Sequence, residues 1–271
     1  MMAERRKIVR RFAPRAVLAV PAVLVAVLAA PISAQWLHTP SPGVPLTADG
    51  KPNLAAPAPL AADGHPDLSG VWMPNSRALQ DLSVGVKGDV PYQPWAAELA
   101  KRRANGARGK DDPAAYCVPG MPKLVVLPYP YKIIQHPGLT VILYEGFTTF
   151  RQVFTDGREL PRDPQPSWLG YSVGKWDGDT FVVDTIGINE KTWMDNAGRP
   201  HSDALRTIER YRRRDFGTME VTVTIDDPKA YTRPWTVDVS PSRLVVGQDL
   251  LEYVCTENNR DVEHLFGDGR K

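Results

Sequence analysis

Cysteine and histidine are scarce in this chain of 271 residues, which contains two cysteines and five histidines. The histidines show neither an H-x-H nor an H-E-x-x-H spacing, and none is placed to complete a metal site with the cysteines. A structural zinc ion needs four such ligands at regular spacing, so this scarcity argues against a zinc fold. The sequence also contains no glycine-rich phosphate-binding loop, so it lacks the common nucleotide-binding motifs. We therefore predict no metal ion and no cofactor.

The one extended apolar run lies near the N-terminus, and its length falls short of what a membrane span needs. Six basic residues precede the apolar run Ala16–Ala30, and Ile32-Ser33-Ala34 resembles the A-x-A cleavage site of signal peptides. Residues 1–34 are therefore predicted to be a signal peptide, removed on export to the periplasm or the exterior. Arg5-Arg6-Lys7-Ile8-Val9 also partly matches the twin-arginine export signal, which leaves two routes open.

Net charge gives no indication of a nucleic-acid partner. The full chain carries +2, and residues 1–34 contribute six basic groups and Glu4, so the remaining chain carries 2 − 5 = −3. A basic surface that could bind phosphates is not indicated by this balance. We predict a small-molecule partner, no nucleic acid, and no membrane span in the mature chain.

The two cysteines, Cys117 and Cys255, both lie in the part predicted to be exported. In an oxidising compartment a single pair forms a disulfide more often than a reactive dithiol. Such a bond would tie the segment before the first predicted hairpin to the end of the domain. Two free, buried thiols are the alternative.

Composition divides the mature chain into three parts. Residues 35–66 are rich in Pro, Ala and Gly and contain a near-repeat, in which TADGKPNL at residues 47–54 returns as AADGHPDL at residues 61–68. We interpret them as a linker or a strap lying on the domain. Residues 67–258 are predicted to form one domain and residues 259–271 a tail.

Short alternating segments separated by turn residues dominate the predicted domain. The predicted strands are Lys132–Gln135, Val141–Glu145, Thr149–Phe154, Gly170–Trp176, Thr180–Thr185, Leu205–Arg213, Met219–Ile225, Trp235–Val239 and Leu250–Glu257. One helix is predicted at Pro94–Ala104, where Pro94 suits a first helical position and Trp95 and Leu99 form an apolar stripe. Nine strands and one short helix predict a mainly β fold, a single antiparallel barrel with long irregular loops.

One hairpin can be analysed by register. Asp177-Gly178 is a preferred pair for a two-residue turn, and it lies between two alternating segments. A turn there would place Trp176 opposite Asp179 and Val173 opposite Val182. Apolar groups on both faces of the hairpin suggest that the strands are covered on both sides.

One tripeptide and several longer strings resemble known protein families. Gly70-Val71-Trp72 is similar to the G-x-W of lipocalins, calycin-type barrels in which the tryptophan closes one end. DLSGVW, PYPYKIIQHPGLTVILYEG, WLGYSVGKWDGDTFVVDTIGIN, PHSDALRTIERYRRRDFG and TIDDPKAYTRPWTV, all within residues 67–258, resemble a widespread group of exported bacterial proteins without an assigned activity. These resemblances imply export and a lipocalin-like barrel, and no particular chemistry.

The segment Leu205–Arg213 supplies the first candidate site residues. Its alternation places three arginines on one face, so that face meets water and Glu209 and Tyr211 turn inward. An inward carboxylate is costly unless it is paired, so Glu209 is either a salt-bridge partner or a functional acid or base. Glu145 and Arg151 flank a short connection and are expected to pair near the barrel rim.

The connection between Gly187 and Ala204 is long for a hairpin, and long loops in compact domains are often functional. It contains Asn189, Trp193, Asp195, His201 and Asp203, which combine a ring for stacking, a titratable imidazole and carboxylates. His201 is either a general acid or base or a hydrogen-bonding loop residue.

These residues support two functions. The first is an exported binding protein with a polar and aromatic-lined barrel cavity, in which Arg151, Trp193, Tyr211, Asn189 and Asp195 contact the ligand. The second is a periplasmic isomerase, lyase or hydrolase acting on a glycoside or phenolic. In the second, the predicted catalytic residues are His201, Glu209, Glu145 and Asp203. A haem-binding barrel with His136 or His201 as axial ligand is a third possibility.

Overall fold

The computed structural model of the protein describes residues 41–104 and 111–257. The predicted signal peptide, the first residues of the predicted linker and the predicted tail lie outside this part. None of the helices in the described residues combines the length and the hydrophobicity that a bilayer crossing requires.

The described residues form ten strands and one α-helix, joined by irregular segments and five short 3-10 turns. The strands are β1 (Gly70–Met73), β2 (Tyr131–His136), β3 (Leu139–Tyr144), β4 (Thr149–Phe154), β5 (Tyr171–Asp177), β6 (Thr180–Ile186), β7 (Arg206–Asp215), β8 (Thr218–Asp226), β9 (Trp235–Asp238) and β10 (Ser242–Leu244). The helix, α1, spans Pro94–Ala104 as predicted, with three basic residues in its last turn, where they oppose the negative end of the helix dipole.

Nine of these strands close into a barrel. Strands β1 to β8 pair in chain order, and β10 then pairs with both β8 and β1. Strand β9 pairs with the C-terminal half of β8, along the same edge of β8 that β10 occupies near its start. The mainly β prediction is confirmed, but β1 and β10, which are four and three residues long, were not predicted.

Two details of the predicted barrel are wrong. The segment Leu250–Glu257 is irregular, because its polar contacts go to side chains and loops outside the sheet: the backbone N–H of Leu251 donates to the Glu145 carboxylate at 2.9 Å. The sheet is also not antiparallel throughout, since β4 and β5 pair in parallel through Val153 with Ser172. Residues 155–170 carry the chain back along the barrel between these two strands, which a hairpin cannot do.

The β5–β6 turn lies one residue later than predicted. Asp177 pairs with Thr180, so Gly178 and Asp179 form the two-residue loop, and Gly178 has φ +56°. Glycine at the first loop position is typical of the type II′ turn, whereas the predicted turn required positive φ at both positions. Trp176 therefore pairs with Phe181 rather than with Asp179. Each residue still lies on the face of the sheet that was predicted for it. The observed partner is two positions from the predicted one, and residues two apart on a strand share a face.

Strand alternation sets the inside of the barrel. Along β7, Thr207, Glu209, Tyr211 and Arg213 are buried, and the residues between them are exposed or half-buried. The inward direction predicted for Glu209 and Tyr211 is therefore observed.

The barrel end where β2–β3, β5–β6 and β7–β8 turn, here called the hairpin end, is covered by a strap, residues 41–68. Each copy of the near-repeat forms the same turn. In the first copy the backbone N–H of Thr47 donates to the backbone oxygen of Lys51 at 2.8 Å, and in the second the N–H of Ala61 donates to the oxygen of His65 at 2.8 Å. The strap joins the β7–β8 turn through Gly217 N–H and the Leu54 oxygen, 2.8 Å apart.

Trp72 is fully buried at the hairpin end, as predicted. The guanidinium carbon of Arg213 lies 5.0 Å from the centre of the Trp72 ring and 5.0 Å from that of Phe216. Arg213 also donates hydrogen bonds to the backbone oxygens of Asp67 and Phe216. Burial lowers its pKa to about 10, so these cation–π contacts and carbonyl oxygens compensate for lost hydration. Arg213 thereby joins the strap, β1 and the β7–β8 turn.

The opposite end, here called the loop end, carries α1, the loop between β6 and β7, and the buried 3-10 turn Lys123–Val126. The disulfide between Cys117 and Cys255 is present, with Cα atoms 5.7 Å apart. It joins the segment before β2 to the end of the described chain, as the sequence predicted.

Candidate functional site

The interior of the barrel contains a buried ion pair. Glu209 on β7 is fully buried and accepts one hydrogen bond at each carboxylate oxygen from the two Nη atoms of Arg151 on β4, both at 3.0 Å. The hydroxyl of Tyr211 donates to the same carboxylate at 2.6 Å. A bidentate pair of this kind is the strongest ordinary charge-assisted contact. Arg151 pairs with Glu209, so the predicted Glu145–Arg151 pair is wrong.

Hydroxyl groups from three neighbouring strands complete this network. Arg151 also donates to the hydroxyls of Tyr144 at 3.3 Å, Ser172 at 3.1 Å and Thr185 at 3.0 Å. Burial would lower the pKa of Arg151, but the Glu209 carboxylate raises it well above its ordinary value. Burial, followed by the Glu209 charge, raises the pKa of Tyr211. At this level the barrel interior is filled by side chains that mostly hydrogen-bond to one another, although Arg151 Nε and Thr207 Oγ1 have no partner among the described residues. None of the cavities described below includes Arg151 or Glu209.

Ser172 belongs to a G-x-S-x-G string, Gly170–Gly174, of the kind that holds the nucleophile of many hydrolases. That motif places its serine on a sharp turn between a strand and a helix. Here Ser172 lies within β5, is buried, and shares a 2.9 Å hydrogen bond with Thr185. The string therefore serves the interior network.

The loop between β6 and β7 is held by a second buried ion pair. Arg199 contacts the carboxylates of Asp195 and, at 2.7 Å, Asp81. Asp195 also accepts the backbone N–H groups of Leu82 at 2.8 Å and Arg199 at 3.1 Å. Because its oxygens are used by the protein itself, Asp195 fixes the shape of the loop.

His201 is buried in the same loop. Its Nδ1 lies 3.1 Å from the backbone oxygen of Ser202, and its Nε2 lies 3.0 Å from the Thr192 hydroxyl. A carbonyl oxygen only accepts, so Nδ1 carries the proton and Nε2 accepts from Thr192. Burial lowers the pKa of His201, which favours this neutral form. Both ring nitrogens are therefore engaged, and neither is free to exchange a proton with a ligand.

A cavity of about 500 Å³ lies at the loop end beside α1. We call it the outer groove. The lining side chains on which the argument depends are Trp95, Arg103, Glu190, His201, Asp203 and Lys229. Trp95 and Arg103, together with Leu99, recur every four residues and therefore share one face of the helix.

Contacts at both ends of α1 fix this helical face. The indole nitrogen of Trp95 donates to the Lys229 backbone oxygen at 2.7 Å, while 45% of the residue stays exposed. Arg103 donates to the Gly198 oxygen at 3.1 Å, and its guanidinium carbon lies 4.7 Å from the centre of the Trp193 ring. The groove thus presents an indole that is held in position but partly open to solvent.

Charges around the outer groove are balanced. Lys229 and Asp203 form an exposed ion pair of 2.6 Å, which lowers the pKa of Asp203 and raises that of Lys229. Arg103 and Glu190 add one charge of each sign. The groove therefore offers many hydrogen-bonding groups without a net charge.

The predicted site residues separate into groups. Arg151, Glu209 and Tyr211 lie in the barrel interior, whereas His201 and Asp203 line the outer groove. The described cavities do not join these two sets, so the predicted site residues do not share one pocket within residues 41–104 and 111–257.

The remaining predicted residues have local contacts. Trp193 is buried beneath Arg103, and Asn189 accepts the Lys191 N–H at 3.0 Å. Glu145 lies at the start of the β3–β4 connection, where it binds the C-terminal segment. Groups of three or more His, Cys, Asp or Glu side chains that could hold a metal ion are absent from the described part of the chain.

Sequence reasoning missed Arg103 and Lys229 as groove residues. The helix stripe of Trp95 and Leu99 was visible, and extending it by one more step of four residues reaches Arg103. Lys229 gave no such indication, because its place beside α1 depends on how the turn after β8 packs.

Comparisons with family models, with curated proteins and with solved structures found no match for this chain.

Proposed function

We propose that this chain is an exported protein that binds a small, uncharged, hydroxyl-rich molecule of the sugar class in the outer groove. The observation that carries the proposal is the exposed, fixed ring of Trp95 beside balanced charges. Aromatic faces pack against the C–H faces of sugar rings, and charged side chains accept or donate to their hydroxyls. A net charge of zero in the groove favours a neutral ligand over an ion.

The volume of the groove agrees with this class. Ligand pockets usually measure about 300–1,000 Å³. The outer groove, at about 500 Å³, therefore suits one or two sugar rings. Its rigid indole reduces the entropy that binding would otherwise cost.

Binding is favoured over catalysis because the two strongest acid–base candidates are occupied. Glu209 is paired with Arg151 and Tyr211 in the filled interior. His201 lines the groove but uses both ring nitrogens for protein contacts. A general acid or base needs a proton-exchanging atom within reach of the ligand. Among the predicted catalytic residues, the isomerase, lyase or hydrolase alternative is left with Asp203 in the groove, and that carboxylate is paired with Lys229.

Export and the lipocalin-like character belong to the same proposal. The basic and apolar N-terminal sequence and the Cys117–Cys255 disulfide support an oxidising location. Trp72, buried at one barrel end under Arg213, supports a lipocalin-like arrangement. Nine barrel strands and one parallel pairing depart from the antiparallel barrel that the resemblance implies.

The test is calorimetric titration of the purified protein with maltose, cellobiose and lactose. We expect saturable binding of at least one sugar, and at least tenfold weaker binding to Trp95→Leu. Trp176→Leu, which changes a tryptophan at the hairpin end, is the matched control and should bind normally. If no sugar binds at millimolar concentration, or if Trp95→Leu binds as tightly as the natural chain, the sugar assignment is wrong.

A further inference from the structure

A second cavity of about 320 Å³ lies at the hairpin end, between the barrel wall and the strap. We call it the mouth cavity. Inward-facing residues of five strands or their ends line it, namely Gln135, Thr140, Thr155, Trp176 and Phe181, and strap residues 61–63 form its outer side. It is separate from the outer groove, which lies at the loop end.

The mouth cavity is shallow because the next layer of the barrel is closed. Val153 and Val183 are fully buried, and the Arg151–Glu209 network fills the interior beyond them. Gly174 allows the Phe181 ring to lie against the wall, since a Cβ atom there would come within 2.5 Å of that ring. The glycine thus shapes the space that remains.

Two aromatic rings dominate the wall. The rings of Trp176 and Phe181 are 5.2 Å apart and tilted by 48°. The imidazole of His65, from the strap, stacks on Trp176 at 4.6 Å with an interplanar angle of 3°. Trp176 is held by a ring on the strap and a ring on β6, so it is ordered before any ligand arrives.

The strap repeat shows that His65 is not needed for the turn itself. The first copy carries Lys51 at the matching position, pairs it with Asp49 at 2.7 Å, and still forms the same backbone hydrogen bonds. Only the second copy places a ring at this position, and it lies on an indole that lines a cavity. This difference indicates that His65 positions Trp176.

The inward-facing polar groups that line the cavity are uncharged. Thr140, Thr155 and Gln135 offer hydroxyl and amide groups, while Asp63 and His136 are the ionisable lining residues. Desolvating a charged ligand without an opposite charge would be costly. A neutral ring with one hydroxyl would instead satisfy both the aromatic wall and these polar groups.

We infer that the mouth cavity is a second binding site, which takes a small neutral aromatic molecule bearing a hydroxyl group, with Trp176 and Phe181 as its ring contacts. A volume near the lower limit of ligand sites admits one or two fused rings. The site is independent of the proposed outer groove, since the two share no lining residue.

The probe is 2-naphthol, titrated calorimetrically into the purified protein at pH 7, where the probe is neutral. We expect saturable binding, at least tenfold weaker binding to Trp176→Leu, and several-fold weaker binding to His65→Ala. Trp95→Leu is the control and should bind 2-naphthol normally. Naphthalene-2-carboxylate, which has the same rings but a charge, should bind at least tenfold more weakly than 2-naphthol.

A second variant guards against a loss of binding that merely reflects misfolding. Ala62 is an exposed strap residue that lines the cavity, so Ala62→Phe should fill the space without disturbing the barrel core. Its circular dichroism and melting temperature should match those of the natural chain, while 2-naphthol binding is lost. The inference is overturned if 2-naphthol shows no saturable binding, if both Trp176→Leu and Ala62→Phe retain it, or if Trp95→Leu weakens it equally.

Discussion

Arg151 on β4 and Glu209 on β7 form a bidentate ion pair across the barrel interior, although 58 residues separate them in the chain. Two strands, β5 and β6, lie between them in the sheet. The pair therefore spans the inside of the barrel and connects strands that share no backbone hydrogen bonds. Burying two charges is costly, and this pair is maintained by good geometry and by the surrounding hydroxyl groups.

Removing one partner of this pair should be strongly destabilising. Arg151→Met leaves Glu209 as an unpaired carboxylate in the barrel interior, so we expect the free energy of unfolding to fall by about 3–5 kcal/mol. Urea denaturation followed by tryptophan fluorescence measures this loss. Arg206→Met is the matched control, because Arg206 pairs with Asp184 on the outer surface, where an ion pair contributes about 0–1 kcal/mol.

The double variant Arg151→Met with Glu209→Leu distinguishes an unpaired charge from lost packing. It leaves no buried charge, so it should recover most of the stability that Arg151→Met loses. A double variant no more stable than Arg151→Met alone would mean that packing around the side chains, rather than the unpaired carboxylate, dominates.

Breaking the disulfide should destabilise the domain and release its C-terminal segment. Cys117 and Cys255 are 138 residues apart, and closing so long a loop restricts the unfolded chain. Replacing both cysteines by serine should lower the free energy of unfolding by about 2–5 kcal/mol. The same variant should be cleaved by proteases earlier within residues 246–257, an irregular segment that packs outside the barrel. Unchanged stability, with and without reductant, would contradict this role.

The sequence was sufficient for the strands whose residues alternate over six or more positions. Strand β7 illustrates this, since the hydration of Arg206, Arg210 and Arg212 directs Glu209 inward. The same alternation could not identify β1 or β10, because GVWM in β1 has no alternation of polar and apolar residues and β10 is only three residues long. It also could not show that β4 pairs in parallel with β5, since pairing direction depends on the path of residues 155–170.

The candidate site was less predictable than the fold. Alternation indicated that Glu209 needed a partner, but the choice between Arg151 and another cation depends on distances across the barrel. His201 and Asp203 were correctly placed in one loop, yet their groove is completed by α1 and by Lys229. Sequence spacing describes neighbours on one element, and these contacts arise between elements.

The positive φ of Gly178 in the β5–β6 turn predicts that alanine and asparagine at this position will lower the stability by different amounts. Its φ of +56° is unfavourable for residues with a Cβ atom, so Gly178→Ala should destabilise the domain by about 1–2 kcal/mol. Gly178→Asn should cost less, because asparagine tolerates positive φ. No side chain surrounds this position within 4 Å, so sterics outside the turn do not contribute. Equal stability of the alanine variant and the natural chain, measured by urea denaturation, would place the turn elsewhere.

His201 should make the protein less stable as the pH falls below the ordinary histidine pKa. Burial lowers the pKa of folded His201 below 6.5, so the unfolded chain takes up a proton that the folded chain resists. Its contribution is fully present above pH 6.5 and is lost progressively as the pH falls through the lowered pKa of the folded state. The slope it adds reaches at most about 1.4 kcal/mol per pH unit. Urea denaturation between pH 7.5 and pH 5 measures the slope, and His201→Gln should reduce it. The other histidines are present in both proteins, so the difference isolates His201, and identical slopes would show that His201 protonates as easily in the folded chain as in the unfolded one.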